Sequence, residues 1–277
     1  MRFRQTSKYD TQLAAGLHPT LQSFTLEGKI AVVTGGARGL GYSMAQGLLE
    51  SGISGLVIMD RNRELGEEAV VALSAETDID IRFYKVDVRD EASTKEAISN
   101  AVSHFGTPHI LVNSAGIAES NIKAEEYDID KFNHQIGTNL GGTFVIAKTV
   151  GKAMIEAKIS GSMIFIASMS GSIVNYPQNQ CSYNASKAGV IQLAKNLVAE
   201  RARYNIRVNA ITPGYMDTAL NRTKDLTAQK EMWIAQTPQK RLGRVDGLNG
   251  LAVFLASDAS SFMAGANIAI DGGCIAW

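Results

Sequence analysis

Short apolar runs alternate with longer segments of helical periodicity from Lys29 onward. This pattern strongly constrains the fold, because a strand covered on both faces appears as a continuous apolar run and parallel strands require a crossover helix between them. The apolar runs fall at residues 30–34, 56–60, 81–87, 110–113, 162–168, 207–211 and 267–271. They predict an α/β fold, a doubly wound, seven-stranded parallel sheet of the Rossmann type in a single domain.

Helical segments are predicted between the strands, at residues 40–51, 64–76, 92–105, 131–158, 183–204 and 248–257. No repeat or proline-rich linker divides the chain, so we expect one domain over residues 29–277, preceded by an N-terminal arm of residues 1–28. The arm has basic residues but no apolar run of the kind a secretory signal needs, and a transit peptide is the alternative.

One connection, at residues 214–243, is unusually long and directly follows a predicted strand. Open parallel sheets bind ligands at the carboxyl ends of their strands, and long connections there commonly cover a site. We therefore predict a substrate lid over residues 214–243. A plain surface insertion is the alternative.

Composition excludes several functional classes. The 27 basic and 27 acidic residues give a net charge of zero, which is unfavourable for nucleic-acid binding. No apolar run approaches the roughly 18 residues of a membrane helix. The four histidines form no metal-binding motif, and Cys181 and Cys274 are too far apart in sequence for a zinc pair. We expect no metal, no disulfide and no membrane partner, and a reducing, cytoplasmic location.

A glycine-rich turn, TGGARGLG, follows the first predicted strand. Gly35, Gly39 and Gly41 allow a tight turn and close backbone approach, and a helix starting near Leu40 would direct its N-terminus at an anion. The next strand ends in an acid, Asp60, 19 residues after Gly41. Strand, glycine turn, helix and acid in this order predict a dinucleotide site.

The ribose end of this site contains opposing charges. Asp60 can accept both ribose hydroxyls of adenosine and would repel a 2′-phosphate, which favours NAD. Arg38 and Arg61 could instead pair with that phosphate, so NADP is the alternative. Asp60 could also serve only as a helix-capping acid.

Tyr183 and Lys187 lie four residues apart at the start of a predicted helix and so share one face. A phenol has a pKa near 10, but an adjacent ammonium lowers it, which suits general acid/base catalysis. Tyr127 and Lys131 have the same spacing. They lie in an acidic segment that we interpret as a solvated helix entry.

Ser168 ends the fifth predicted strand and so reaches the carboxyl edge of the sheet, where it could hold a substrate oxygen. Ser170 and Ser172 are alternatives for this role. All three serines could instead simply form the turn after the strand.

These motifs together resemble the short-chain dehydrogenase/reductase family over nearly the whole chain from Lys29. The matching motifs, in the family's order, are TGGARGLG, VDV at residues 86–88, NSAG at residues 113–116, Asn139, Ser168, YNASK at residues 183–187, and Pro213 with Gly214. The resemblance implies a metal-independent enzyme that transfers hydride between a nicotinamide cofactor and a secondary alcohol or ketone.

The family's catalytic roles fall on four residues of this chain. By resemblance, Tyr183 is the general acid/base and Ser168 orients the substrate carbonyl. Lys187 binds the nicotinamide ribose and lowers the pKa of Tyr183, while Asn139 holds a water in a proton relay.

The resemblance also implies a cofactor-binding set. Asp87 and Val88 would contact adenine, Asn113 would brace the central strand, and Thr218 would contact the nicotinamide carboxamide. The full set is Gly35, Arg38, Gly39, Leu40, Gly41, Asp60, Asp87, Val88, Asn113, Ala115, Gly116, Tyr183, Lys187, Pro213, Gly214 and Thr218.

Residues 166–195 and the terminal DGG further resemble fungal polyol dehydrogenases and ketose reductases of the mannitol and sorbose types. A polyol/ketose pair is therefore the expected small-molecule substrate. An NADP-dependent reductase of a secondary-metabolite ketone and a non-catalytic nucleotide-binding scaffold are the alternatives. By family analogy we expect a homo-oligomer, either a tetramer or a dimer.

Overall fold

The computed structural model describes residues 16–218 and 227–276. Its seven strands are β1 (Ile30–Thr34), β2 (Gly55–Asp60), β3 (Ile81–Lys85), β4 (Ile110–Asn113), β5 (Gly161–Ile166), β6 (Ile206–Pro213) and β7 (Asn267–Ile270). They form one parallel sheet in the order β3-β2-β1-β4-β5-β6-β7. This confirms the predicted doubly wound Rossmann-type sheet.

The helices of the described residues are α1 (Pro19–Gln22), α2 (Gly39–Glu50), α3 (Arg63–Ser74), α4 (Glu91–Phe105), α5 (Ile129–Ile136), α6 (Gly142–Ala157), α7 (Cys181–Arg201), α8 (Thr227–Gln236) and α9 (Asn249–Ala256). Side-chain caps fix several of their starts. Asn62 accepts from the Leu65 amide before α3, and Asp90 accepts from two amides before α4. None of the helices in the described ranges is long and apolar enough to cross a membrane.

The sheet is buried on both faces, which is why its central strands are continuously apolar. On one face α2 and α9 cover residues such as Val33, Ile58 and Val112. On the other, α4, α6 and α7 cover residues such as Val32 and Leu111. The predicted hydrophobic runs therefore correspond to a two-layered core around the sheet.

The predicted helix over residues 131–158 is wrong as one regular element. Asp128 caps α5 by accepting from the Lys131 amide at 2.9 Å, and the five-residue π-helical turn Gly137–Gly141 separates α5 from α6. Asn139 lies in this turn. Such widened turns occur often at functional sites, because they redirect a side chain without ending the helix.

The connection over residues 214–243 contains α8, which the sequence reasoning missed. Met216 and Gly243 form an isolated parallel bridge that closes the base of this segment. Residues 219–226 of the predicted lid lie outside the described residues, as do residues 1–15 of the predicted arm and Trp277.

Candidate active site

A cavity of about 580 Å³ opens at the carboxyl ends of the strands. It lies where the strand order reverses, since β1 pairs with both β2 and β4. The predicted site residues that line it are Gly35, Arg38, Gly39, Leu40, Gly41, Asp60, Asp87, Val88, Ala115, Gly116, Ser168, Tyr183, Lys187, Pro213, Gly214 and Thr218. Asn113 and Asn139 do not line it.

The glycine turn is packed on one side and open on the other. Gly35 has a φ of +62°, and a Cβ there would lie 2.8 Å from the Ala115 backbone. A Cβ on Gly41 would lie 2.2 Å from the Gly35 carbonyl oxygen. Gly39 also has a φ of +62°, but a Cβ there would meet no atom within 4 Å. The open side, at the N-terminus of α2, therefore fits an approaching pyrophosphate.

Asp60 is fixed at the neighbouring wall by two backbone amides. Its carboxylate oxygens accept from the Asn62 amide at 3.1 Å and the Ala37 amide at 3.4 Å. Arg38 and Arg61 line the same wall, and neither forms an ion pair within the described part of the chain. The Asp60 carboxylate therefore shares the cavity lining with two guanidinium groups that form no ion pair in the described residues.

Asp87, the predicted adenine contact, is paired with Arg89. The Arg89 guanidinium donates to both Asp87 carboxylate oxygens, with the shortest contact at 2.6 Å. This hydrogen bonding lowers the pKa of Asp87. Arg89 also lines the cavity, and sequence reasoning missed it. Its position two residues after Asp87 was the only sequence signal for the ion pair with Asp87.

Tyr183, Lys187 and Ser168 meet on one wall of the cavity. The Lys187 ammonium donates to the Ile166 carbonyl at 2.8 Å and lies 5.7 Å from the centroid of the Tyr183 ring. The Ser168 hydroxyl oxygen accepts from the Ser170 amide at 3.2 Å. A strand end and one face of α7 thus supply a hydroxyl, a phenol and an amine to the same space.

The pKa values of this cluster differ in part from the expectation. Burial raises the pKa of Tyr183, and a hydrogen bond with Ser168 acts in the opposite direction. Burial lowers the pKa of Lys187 to about 8. The structure therefore does not show the lowering of the Tyr183 pKa that we predicted from Lys187, because desolvation of the phenol dominates.

Asn139 lies outside the cavity lining, and its side chain is bonded to the protein. Its amide accepts from the Ile117 amide at 2.8 Å and donates to the Ile117 carbonyl at 2.9 Å and the Ser186 hydroxyl at 3.0 Å. A Cβ on Gly116 would lie 3.2 Å from Asn139 Oδ1 and 3.6 Å from Lys187 Nζ. Asn139 and Lys187 therefore approach the same glycine.

Asn113 ties the central strands to the helix layer. It accepts from the Thr34 hydroxyl of β1 at 2.6 Å and donates to the Thr143 hydroxyl of α6 at 2.7 Å. All three side chains are buried. These contacts have the geometry that the predicted bracing role requires.

The second tyrosine–lysine pair lies elsewhere. The Tyr127 hydroxyl donates to the Gln135 side chain at 2.9 Å, and neither Tyr127 nor Lys131 lines the cavity. Ser170 does line the cavity, whereas Ser172 does not.

Sequence reasoning missed a set of polar and aromatic residues in the cavity wall. The missed side chains that line the cavity are Ser120, Gln178, Gln180, Tyr215, Gln229 and Trp233. For Gln178 and Gln180, the sequence signal was the amide-rich segment NYPQNQ before α7. Tyr215 and Trp233 stack with ring centroids 4.8 Å apart. Within the described ranges, no three His, Cys, Asp or Glu side chains could together hold a metal ion.

Comparison with known proteins identifies the fold and the motifs together. Residues 35–274 match the family described as enoyl-(acyl carrier protein) reductase, a branch of the short-chain dehydrogenases. This chain belongs to the short-chain dehydrogenase/reductase family. As a member, it is an oxidoreductase that acts on CH–OH groups with a nicotinamide cofactor.

Two curated relatives of this short-chain dehydrogenase act on sugar alcohols by name. The chain is 39% identical over 255 residues to the NADP-dependent mannitol dehydrogenase of Hypocrea jecorina, covering 91% of this chain and 94% of the relative. It is 36% identical over 258 residues to the galactitol 2-dehydrogenase of Rhizobium johnstonii, covering 92% and 98% of the two chains.

Solved structures agree with this family assignment. The crystal structure of gox2181 superposes with a TM-score of 0.88 at 38% identity, covering 93% of this chain and all of that chain. A gluconate 5-dehydrogenase from Burkholderia cenocepacia, solved with NADP and tartrate, gives a TM-score of 0.85 at 35% identity, covering 93% and 99%.

Proposed function

We propose that this short-chain dehydrogenase/reductase interconverts a polyol and its ketose. The observation that carries the proposal is the meeting of Ser168, Tyr183 and Lys187 in the cavity whose other end is the glycine turn. Three amide side chains in the cavity wall, those of Gln178, Gln180 and Gln229, support a substrate with several hydroxyl groups. The polyol dehydrogenases among the relatives support the same substrate class.

Different residues of the cavity would bind the pyrophosphate and the nicotinamide of the cofactor. The open turn at Gly39 and the N-terminus of α2 would hold the pyrophosphate. Lys187 would bind the nicotinamide ribose, and Pro213, Gly214 and Thr218 would border the nicotinamide. When bound, the dinucleotide supplies or accepts the hydride.

Proton transfer in the proposed reaction falls to Tyr183. During reduction its hydroxyl donates a proton to the carbonyl oxygen, and during oxidation the phenolate takes the proton back. Ser168 donates a hydrogen bond to the same oxygen, where negative charge develops. Lys187 in its charged form favours the phenolate electrostatically, although its own pKa of about 8 limits that charge above neutral pH.

The cofactor choice rests on the charges around the ribose. Asp60 favours NAD, as the sequence predicts, but Arg38 and Arg61 supply two positive charges against its one negative charge. The mannitol dehydrogenase relative is NADP-dependent by name. We therefore propose that the site takes NADP(H) as well as NAD(H), with the two arginines holding the 2′-phosphate.

Removing one arginine tests this cofactor proposal. Arg38→Gln should raise the KM for NADPH about 10-fold, by loss of a charge-assisted contact, and leave the KM for NADH nearly unchanged. An equal effect on both cofactors, or none on NADPH, would argue against a phosphate role. Arg203→Gln, in the exposed turn that follows the C-terminal end of α7, is the matched control.

The predicted lid is likewise proposed to cover the substrate. Tyr215, Met216, Gln229 and Trp233 contribute to the cavity wall from the segment of residues 214–243. In the described part of this segment, Gln229 and Trp233 bond across to Asn121 and Gln178. The homo-oligomer, the cytoplasmic location and the N-terminal arm stay predictions.

A panel of substrates tests the function. Mannitol, galactitol and arabinitol, their ketoses and a simple secondary alcohol are each incubated with NAD(H) and NADP(H), and absorbance of the reduced nicotinamide is followed. Turnover of polyols above that of the simple alcohol is expected. Reduction confined to bulky ketones would favour secondary-metabolite chemistry, and cofactor binding without any turnover would favour a scaffold.

A further inference from the structure

Gln180 lies at the start of α7, three residues before Tyr183, and both side chains line the cavity. Residues three apart at a helix start are neighbours on one face. Gln180 is 9% exposed, so its amide is nearly enclosed by protein. A nearly buried amide beside the reacting phenol must have its hydrogen bonds accounted for.

The nitrogen of this amide is fully used by the protein. Gln180 Nε2 donates to Asn175 Oδ1 at 2.8 Å, Asn184 Oδ1 at 2.9 Å and Ser170 Oγ at 3.1 Å. Two of these acceptors are side-chain carbonyl oxygens. Both hydrogens of Nε2 are therefore taken up by acceptors of the protein.

A backbone carbonyl determines the assignment of Oε1 and Nε2 in the Gln180 amide. Asn184 Nδ2 donates to the Ile173 carbonyl at 2.9 Å, and a carbonyl can only accept. Asn184 therefore presents its Oδ1 to Gln180 as an acceptor, and Gln180 must donate to it from Nε2. Flipping Gln180 would set two oxygens against each other.

The remaining atom, Gln180 Oε1, is a free acceptor. Among residues 16–218 and 227–276, no donor contacts Oε1, and this oxygen is not among the enclosed polar atoms that lack a partner. Gln180 lines the cavity, its nitrogen is bonded to the protein, and its oxygen is neither bonded nor enclosed, so the geometry directs Oε1 to the cavity.

The aromatic pair of Tyr215 and Trp233 supplies an apolar surface in the same cavity. Tyr215 stacks on Trp233 with an interplanar angle of 13°, and the Tyr215 hydroxyl contacts Asn175 at 3.2 Å. Asn175 is one of the acceptors that hold Gln180. The acceptor and the aromatic surface therefore belong to one connected wall.

We propose that Gln180 determines specificity by accepting a hydrogen bond at Oε1 from a hydroxyl on the carbon next to the reacting carbon. The proposal rests on the proposed function. Tyr183 and Ser168 take the reacting oxygen, and Gln180 lies one helical turn before Tyr183, which suits the next oxygen along the chain. The enzyme would therefore select vicinal diols and α-hydroxy ketones over simple alcohols and ketones.

The expected selectivity follows from the unpaired acceptor. A site that hydrogen-bonds a substrate hydroxyl rejects the analogue without it, because its enclosed polar group is then left unpaired. Gln180 offers one acceptor that keeps a small exposed fraction. We therefore expect kcat/KM to be about 10- to 100-fold higher for the hydroxylated substrate than for the analogue without the hydroxyl. The hydroxyl must donate, so a methyl ether cannot replace it.

The first experiment uses the wild-type enzyme and three ketones of similar size. Acetoin, its methyl ether and butanone are reduced with NADPH, and kcat/KM is measured for each. Acetoin should exceed both other ketones by about 10- to 100-fold. Equal values for acetoin and its methyl ether, or for acetoin and butanone, would overturn the proposal without touching the proposed reductase activity.

The second experiment removes the acceptor. Gln180→Met keeps the length of the side chain, and the acetoin-to-butanone ratio of kcat/KM should fall towards one. Gln192→Met, on the exposed face of α7, is the control and should keep the wild-type ratio. A wild-type ratio in Gln180→Met would overturn the role of Gln180. Absence of any turnover by the wild type with every ketone and polyol would instead overturn the proposed function.

Discussion

The contact between Gly41 and the glycine turn predicts a large effect of one methyl group. In Gly41→Ala, the new Cβ would lie 2.2 Å from the Gly35 carbonyl oxygen and 2.8 Å from its carbonyl carbon. Both neighbours are backbone atoms, so no side chain can rotate away. The turn and the start of α2 must separate by about 1 Å to restore ordinary contact.

This separation has two expected costs. Overpacking of this kind lowers the free energy of unfolding by about 1–3 kcal/mol. Displacement of the turn should also remove one or two amide hydrogen bonds to the pyrophosphate, each about 1–1.5 kcal/mol, so the Kd for NADPH should rise about 10- to 100-fold.

The assay combines urea unfolding with a fluorescence titration of NADPH. Gly250→Ala is the matched control, because Gly250 lies in α9, is exposed and has no atom within 4 Å of a Cβ. That change should stabilise the protein by about 0.4–1 kcal/mol and leave the Kd unchanged. Wild-type stability and wild-type Kd in Gly41→Ala would contradict the predicted clash between Gly41 and the Gly35 carbonyl.

Two further predictions concern buried polar groups. Asn113→Leu leaves the Thr34 and Thr143 hydroxyls without their shared partner, so the free energy of unfolding should fall by about 1–3 kcal/mol in urea titrations; a loss under about 0.5 kcal/mol would contradict it. Burial lowers the pKa of Lys187 from 10.5 to about 8, so the unfolded chain binds more protons between these values. Wild-type stability should therefore rise relative to Lys187→Met as the pH rises through this window, and a flat difference would count against the burial.

The strands could be predicted because their environment leaves a local signal. Each strand of a sheet covered on both faces must be apolar along its length, and all seven runs became strands. The break at residues 137–141 left no such signal, because both flanking segments keep helical periodicity. In α8, the contacts of Gln229, Trp233 and Gln236 with distant loops define the packed face, and these contacts are not local in sequence.

The candidate site was predictable to a similar extent. Tyr183 and Lys187 could be found because their spacing fixes a shared helix face and because YNASK stands in the family's motif order. Tyr127 and Lys131 have the same spacing but lie in no such motif.

The orientation of Gln180 could not be predicted, because it depends on a chain of hydrogen bonds through Asn184 to the Ile173 carbonyl. The pKa of Tyr183 is raised by burial, and the spacing of Tyr183 and Lys187 in the sequence does not indicate how deeply the phenol is buried.

The turnover of Tyr183→Phe with NADPH and the best ketose of the panel tests the role of Tyr183 directly. Loss of the proton donor should lower kcat by about 10²- to 10⁴-fold, while the Kd for NADPH stays within about twofold of the wild type. Tyr204→Phe, at a more exposed tyrosine, is the matched control and should keep full activity. Wild-type kcat in Tyr183→Phe would contradict the assignment of Tyr183 as the general acid and base.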